Sequence, residues 1–147
     1  MNWTRFIWAS LGVFVGQAIV AGLLFAVWVG RAFSDPTFFR PEGDQRMVVY
    51  FVCRVMFVAL FVYLFASRYR GRNLVEGLRF GITMWLFYSI PMTVGFWAFI
   101  KMPDGLATAW IVVGLAEMVT GGLVVSAVYR PRATEHGPPP PETHVSA

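Results

Sequence analysis

LATAWIVVGLAEMVTGGLVVSAVY, residues Leu106–Tyr129, is the stretch whose reading decides the fold. It is predominantly apolar, and its only charged residue is one carboxylate, Glu117. A bilayer core is ~30 Å thick and a helix rises ~1.5 Å per residue, so about 20 apolar residues cross it once. In lipid only helices and closed barrels satisfy their own backbone hydrogen bonds. The run does not alternate and is about twice the length of a barrel strand, so it reads as a transmembrane helix.

Working outward, three more runs of the same kind occupy about residues 6–29, 47–66 and 80–100. The expectation is an all-α integral membrane four-helix bundle within residues 1–131. Apolar residues make up 57% of the chain and charged residues 14%, against about 25% charged in soluble domains. The first run follows Arg5, but it is longer than the ~7–15 residues of a signal-peptide core and reads as a retained span. Residues 132–147 read as a disordered, Pro-rich cytoplasmic tail, with Pro138–Pro141 favouring an extended polyproline backbone.

Lys and Arg beside the spans set the orientation. With the N-terminus inside, the inner segments hold Arg5, Arg68, Arg70, Arg72, Arg79, Arg130 and Arg132. The outer segments hold Arg31, Arg40, Arg46 and Lys101, so the count is seven against four. Both termini are expected in the cytoplasm. The pI near 9.7 then reflects retention signals and anionic head groups, with no nucleic-acid patch.

Several chemistries lack their groups. Haem ligation needs histidines within the spans, but His136 and His144 both lie in the tail. Thiol exchange needs paired cysteines, and Cys53 is alone, reading as a small apolar filler. No cluster has metal-ligand spacing and no serine sits in a nucleophile elbow. No catalytic residue, metal or cofactor is expected, and the chain reads as no enzyme.

Polar groups inside the spans carry the remaining information. A charge at mid-bilayer costs ~2.5–3.5 kcal/mol on the insertion scale and is usually paired or functional. Glu117 lies near the middle of its span, on a face with Gly114 and Gly121, and so faces protein. Arg54 is seven residues into the second span among Tyr50, Phe51, Phe57 and Phe61. The axial offset between the two is ~6 Å, which long side chains close. They are a candidate buried ion pair; Arg54 alone would instead snorkel outward. Glu76 and Arg79 form a candidate interfacial pair at i, i+3, or simply cap the third helix.

Small residues mark candidate packing faces: Gly12, Gly16 and Gly22 on the first helix, Gly77, Gly81 and Gly95 on the third, and Gly114 and Gly121 on the fourth. On the third, Pro91 removes a hydrogen bond and is a candidate kink. Its stripe reads as a packing seam or, less simply, a groove for a small ligand. On the first helix the stripe from Ala9 to Ala26 leaves Gln17 on the opposite side, which points to contacts on two faces and to a homodimer as partner besides the lipid bilayer.

The segments Phe38-Phe39-Arg40-Pro41-Glu42, Glu76-Gly77-Leu78-Arg79-Phe80-Gly81, Gly114-Leu115-Ala116-Glu117 with Gly121-Gly122, and Tyr129-Arg130-Pro131 resemble a group of small uncharacterised four-helix bacterial membrane proteins. The resemblance runs from about Arg31 to Pro131. It implies a bacterial inner-membrane location and the same helix count, and it brings no activity. Small multidrug exporters carry a glutamate in their first helix, where this chain has only Gln17. The expected role is a non-enzymatic structural or accessory membrane component. The alternative is a proton- or ion-coupled transporter, acting as a homodimer with Glu117 titrating.

Overall fold

The structure, a computed structural model, describes residues 3–29, 45–68, 73–101 and 103–129. Among these there is no strand. Helix α1 spans Trp3–Leu24 and runs into a π-helical turn at Phe25–Val29. Helix α2 spans Gln45–Arg68 and α4 spans Asp104–Tyr129. Helix α3 spans Leu74–Phe99, with a π-helical turn at Trp85–Ser89. All four are long and apolar enough to cross a membrane. The loop motif Phe38–Glu42, the basic residues Arg31, Arg40, Arg70, Arg72, Arg130 and Arg132, and the tail 132–147 lie outside the described residues.

Helix α3 begins at Leu74 rather than near residue 80. Asn73 is extended, and its carbonyl accepts from the Glu76 N–H at 3.2 Å. Glu76 thus falls in the first turn, where a negative charge suits the helix dipole. The charges that ended the apolar run in the sequence are tolerated in this turn. At the other end, the Trp97 indole N–H donates to Asp104 Oδ1 at 2.8 Å, tying the end of α3 to the start of α4. The distortion in α3 is the π turn, closed by a bond from the Ile90 N–H to the Trp85 carbonyl. It ends before Pro91, the residue whose missing N–H would otherwise interrupt the α ladder at this point.

Helix α4 is the axis of the assembly, with α1 and α3 running along it. Against α3 the contact is backbone on backbone. A Cβ at Gly77 would overlap the Gly122 carbonyl oxygen, and one at Gly81 would overlap that of Met118. Such close approach supplies van der Waals contact along the whole seam. Against α1 the fit is looser but still tight. Val124 lies 3.2 Å from the Cβ position of Gly12, and Thr120 lies 3.4 Å from that of Gly16.

Helix α2 instead reaches its neighbours through large side chains. Val58, Phe61, Val62 and Phe65 are buried. The Phe61 and Phe65 rings meet Phe80 of α3 at 4.8 and 5.2 Å, edge-on geometries worth ~0.5–1.5 kcal/mol each beyond burial. These residues join Ala9, Val13, Met118 and Val125 in one core. That core fills the end of the bundle where α1 starts and α4 finishes, the terminal end. The opposite or loop end, where α1 finishes and α4 starts, has a small cluster of Leu106 and Ala109 on α4, with Val113 packed against it. The outward faces of all four helices are apolar, with Trp8, Leu11, Val52, Met56, Phe87 and Val112 among the exposed side chains.

The α1 stripe differs from the sequence expectation. Its buried arc is centred on Ala9, Val13 and Gln17, while Ala18, Gly22 and Ala26 are exposed. Gln17 therefore faces the bundle and not its opposite side. An amide in an apolar span gains most by turning inward to protein. Gly22 and Gly95 are not packing glycines within the chain, because nothing lies within 4 Å of a Cβ at either position.

Candidate functional site

One turn of α4, Glu117–Gly121, gathers the other three helices. Arg54 of α2 donates from Nη2 to Glu117 Oε1 at 2.7 Å and from Nη1 to Oε2 at 3.1 Å. This fork-on-fork geometry uses both carboxylate oxygens. The two side chains keep 17% and 12% of their exposure, so the pair is largely but not wholly desolvated. From α1, the Gln17 amide nitrogen donates to the Glu117 backbone carbonyl at 3.2 Å. Its oxygen is buried and has no hydrogen-bond partner among the described residues. From α3, Gly81 seats on Met118 and Val119.

Gly121 makes this convergence possible. The Gln17 amide nitrogen lies 2.7 Å and the Phe61 ring 3.2 Å from where its Cβ would be. Any side chain there would displace a residue of α1 or α2. Gly114, one turn above Glu117, does the same for α3, with Ser89 Cβ and Oγ both at 2.9 Å. The Trp85 indole N–H, inside the π turn, donates to the Ile111 carbonyl at 2.9 Å.

Above the ion pair, toward the loop end, the helices diverge around a cleft of about 570 Å³. Arg54, Glu117 and Ser89 lie at its floor. Tyr50, Tyr88, Phe96 and Trp110 supply aromatic walls, and Gly22 and Phe25 of α1 line the remaining side. Tyr88 stacks against Phe57 at 5.0 Å, which fixes one wall to α2.

The sequence-derived candidates are distributed as follows. Arg54 and Glu117 come together, with Gly114 and Gly121 beside them. Gly12, Gly16, Gly77 and Gly81 serve the seams of the bundle. Glu76, half-buried, and Arg79, exposed, both lie near the start of α3 and apart from this site. Gln17, Ser89 and Thr93 belong to the site or its cleft without having been singled out for it. Only Gln17 carried a readable signal, as an amide that needs a partner. Among the described residues, no three of His, Cys, Asp and Glu come together as a metal ion would require.

Comparison with protein-family models, with curated proteins and with solved structures yields no match.

Proposed function

We propose that this chain is a non-enzymatic, multi-pass membrane protein of the bacterial inner membrane, a structural or accessory component with both termini in the cytoplasm. The apolar outward faces support lipid as its solvent, since a water-soluble bundle would not leave Trp8, Leu11, Met56 and Phe87 outside. The basic residues that flank the spans support the orientation. The location rests on the resemblance in the loop and glycine segments.

The observation that carries the structural role is the use made of Glu117. Both of its carboxylate oxygens are engaged by Arg54, and its carbonyl is engaged by Gln17. A carboxylate that carries protons through a membrane must be released and re-formed in each cycle, and here release would unfasten α2 from α4. The pair works as a lock that selects how α2 docks, a role well attested for buried polar groups.

Two measurements test the proposal. A reporter fused after Tyr129 should lie in the cytoplasm and one inserted near Glu42 outside; finding both on one side would refute the four-span topology. In vesicles carrying the purified protein under a pH gradient, dye-reported proton flux should be the same for wild type, Glu117→Gln and empty lipid. Flux that depends on Glu117 would replace this reading with the transporter.

A further inference from the structure

We infer that the cleft above the ion pair is a binding site for an uncharged, flat, lipid-soluble molecule whose ring carries carbonyl oxygens. This goes beyond the structural role proposed for Glu117 and does not depend on it. Four features of the cleft point the same way.

The first is size. About 570 Å³ falls within the range of small-molecule pockets and is far more than a water or an ion occupies. The second is the charge of the floor. Arg54 and Glu117 cancel, so the floor attracts neither an anion nor a cation strongly. A guanidinium nevertheless has five N–H groups, and only two hydrogen bonds tie it to Glu117. The remaining N–H groups have no hydrogen-bond partner among the described residues and are available to an acceptor. Both side chains keep residual exposure and line this cleft. A neutral carbonyl oxygen fits those donors without disturbing the pair.

The third is the walls. Tyr50, Tyr88, Phe96 and Trp110 present ring faces and edges around one space, which favours a planar ring over a branched chain. The fourth is Gly22. A glycine in mid-helix weakens the helix, and at Gly77, Gly81 and Gly121 close packing accounts for it. At Gly22 nothing lies within 4 Å of the missing Cβ, yet the residue lines the cleft. What its bareness preserves is the open volume itself.

Gly22 also supplies the test. Gly22→Leu fills the cleft without touching the seams, so the full-length variant in lipid nanodiscs should melt as the wild type does in the absence of ligand. With decylubiquinone as probe, the wild type should show a saturable rise in melting temperature, as expected when a ligand binds only the folded state. Gly22→Leu should lose that rise, and Gly95→Leu, whose site lies outside this cleft, should keep it. If Gly22→Leu melts lower on its own, Met92→Trp on an exposed part of the cleft lining is read in its place.

A non-saturable response, or one equal in wild type and the cleft-filling variant, overturns the site. An equal rise with 1-decanol overturns the carbonyl-bearing head, leaving a lipid tail as the occupant. A stronger rise with decyltrimethylammonium or decyl phosphate overturns the uncharged head.

Discussion

The two ends of this bundle are built from the same four helices and packed by opposite rules. At the terminal end, glycines of α1 and α3 receive atoms of α4 at or inside van der Waals distance, and Phe61 and Phe65 close the remaining side. At the loop end, α3 stays bound to α4 through Gly114, Trp85 and the Trp97–Asp104 bond, but α1 and α2 stand away. Glycine is present at both ends. At one it lets backbones meet, and at the other it leaves a space. A glycine in a membrane helix therefore says little until the atom it faces is known.

The sharpest challenge to this comparison lies at the boundary between the ends, where the ion pair sits. Glu117→Gln should lower stability by ~3–5 kcal/mol, because it strands a largely buried guanidinium. Combining Arg54→Met with Glu117→Leu should restore most of it in denaturant titrations of the detergent-solubilised protein. Purely additive losses would mean that the two side chains are energetically independent, and the boundary would dissolve.

A smaller effect separates the glycines themselves. Gly77→Ala and Gly81→Ala push a methyl into backbone and should cost ~1–3 kcal/mol. Gly22→Ala meets open space and should be neutral or stabilising by ~0.4–1 kcal/mol. Melting curves of the three variants decide it; equal losses would erase the distinction between the ends.

Smaller still is Gln17→Leu. Interhelical hydrogen bonds in bilayers average ~0.6 kcal/mol, and this change also removes a buried oxygen that has no partner among the described residues. A loss of no more than about that size is expected in the same titration. A loss rivalling that of Glu117→Gln would move the centre of the boundary from α2 to α1. At zero effect stand cysteines placed at Gly12 and Gly16 in a Cys53→Ala background. Their Cβ positions face Val124 and Thr120, so oxidation should give no cross-link between chains.

The sequence made some of this arrangement readable. The helices were visible because twenty-residue apolar runs have no other use, and their ends blurred only where Glu76 and Arg79 extend α3 beyond its apolar run. The Arg54–Glu117 contact was legible because opposite charges are rare in a span, and depth follows from counting residues. The phase of α1 was not. Small residues cover more than half of its circumference, and 100° per residue gives relative positions without saying which arc meets protein. Gln17 held that information, but an amide turned inward and one awaiting a second copy look alike in a single chain. The cleft was illegible for a different reason. It exists where four backbones fail to converge, and no residue type encodes a failure to converge as glycine encodes close approach.

The gathering of three helices onto Glu117–Gly121 also bears on how the molecule comes into being. Helix α4 leaves the ribosome after α1, α2 and α3. Until it docks, the Arg54 guanidinium has no carboxylate, the Gln17 amide no carbonyl, and Gly77 and Gly81 no backbone to rest on. The first three helices thus wait as an unfinished set, and Arg54 must find another partner or solvent in the meantime. Assembly waits for α4 and is completed by one of its turns, so the four helices become a bundle only once α4 is in place.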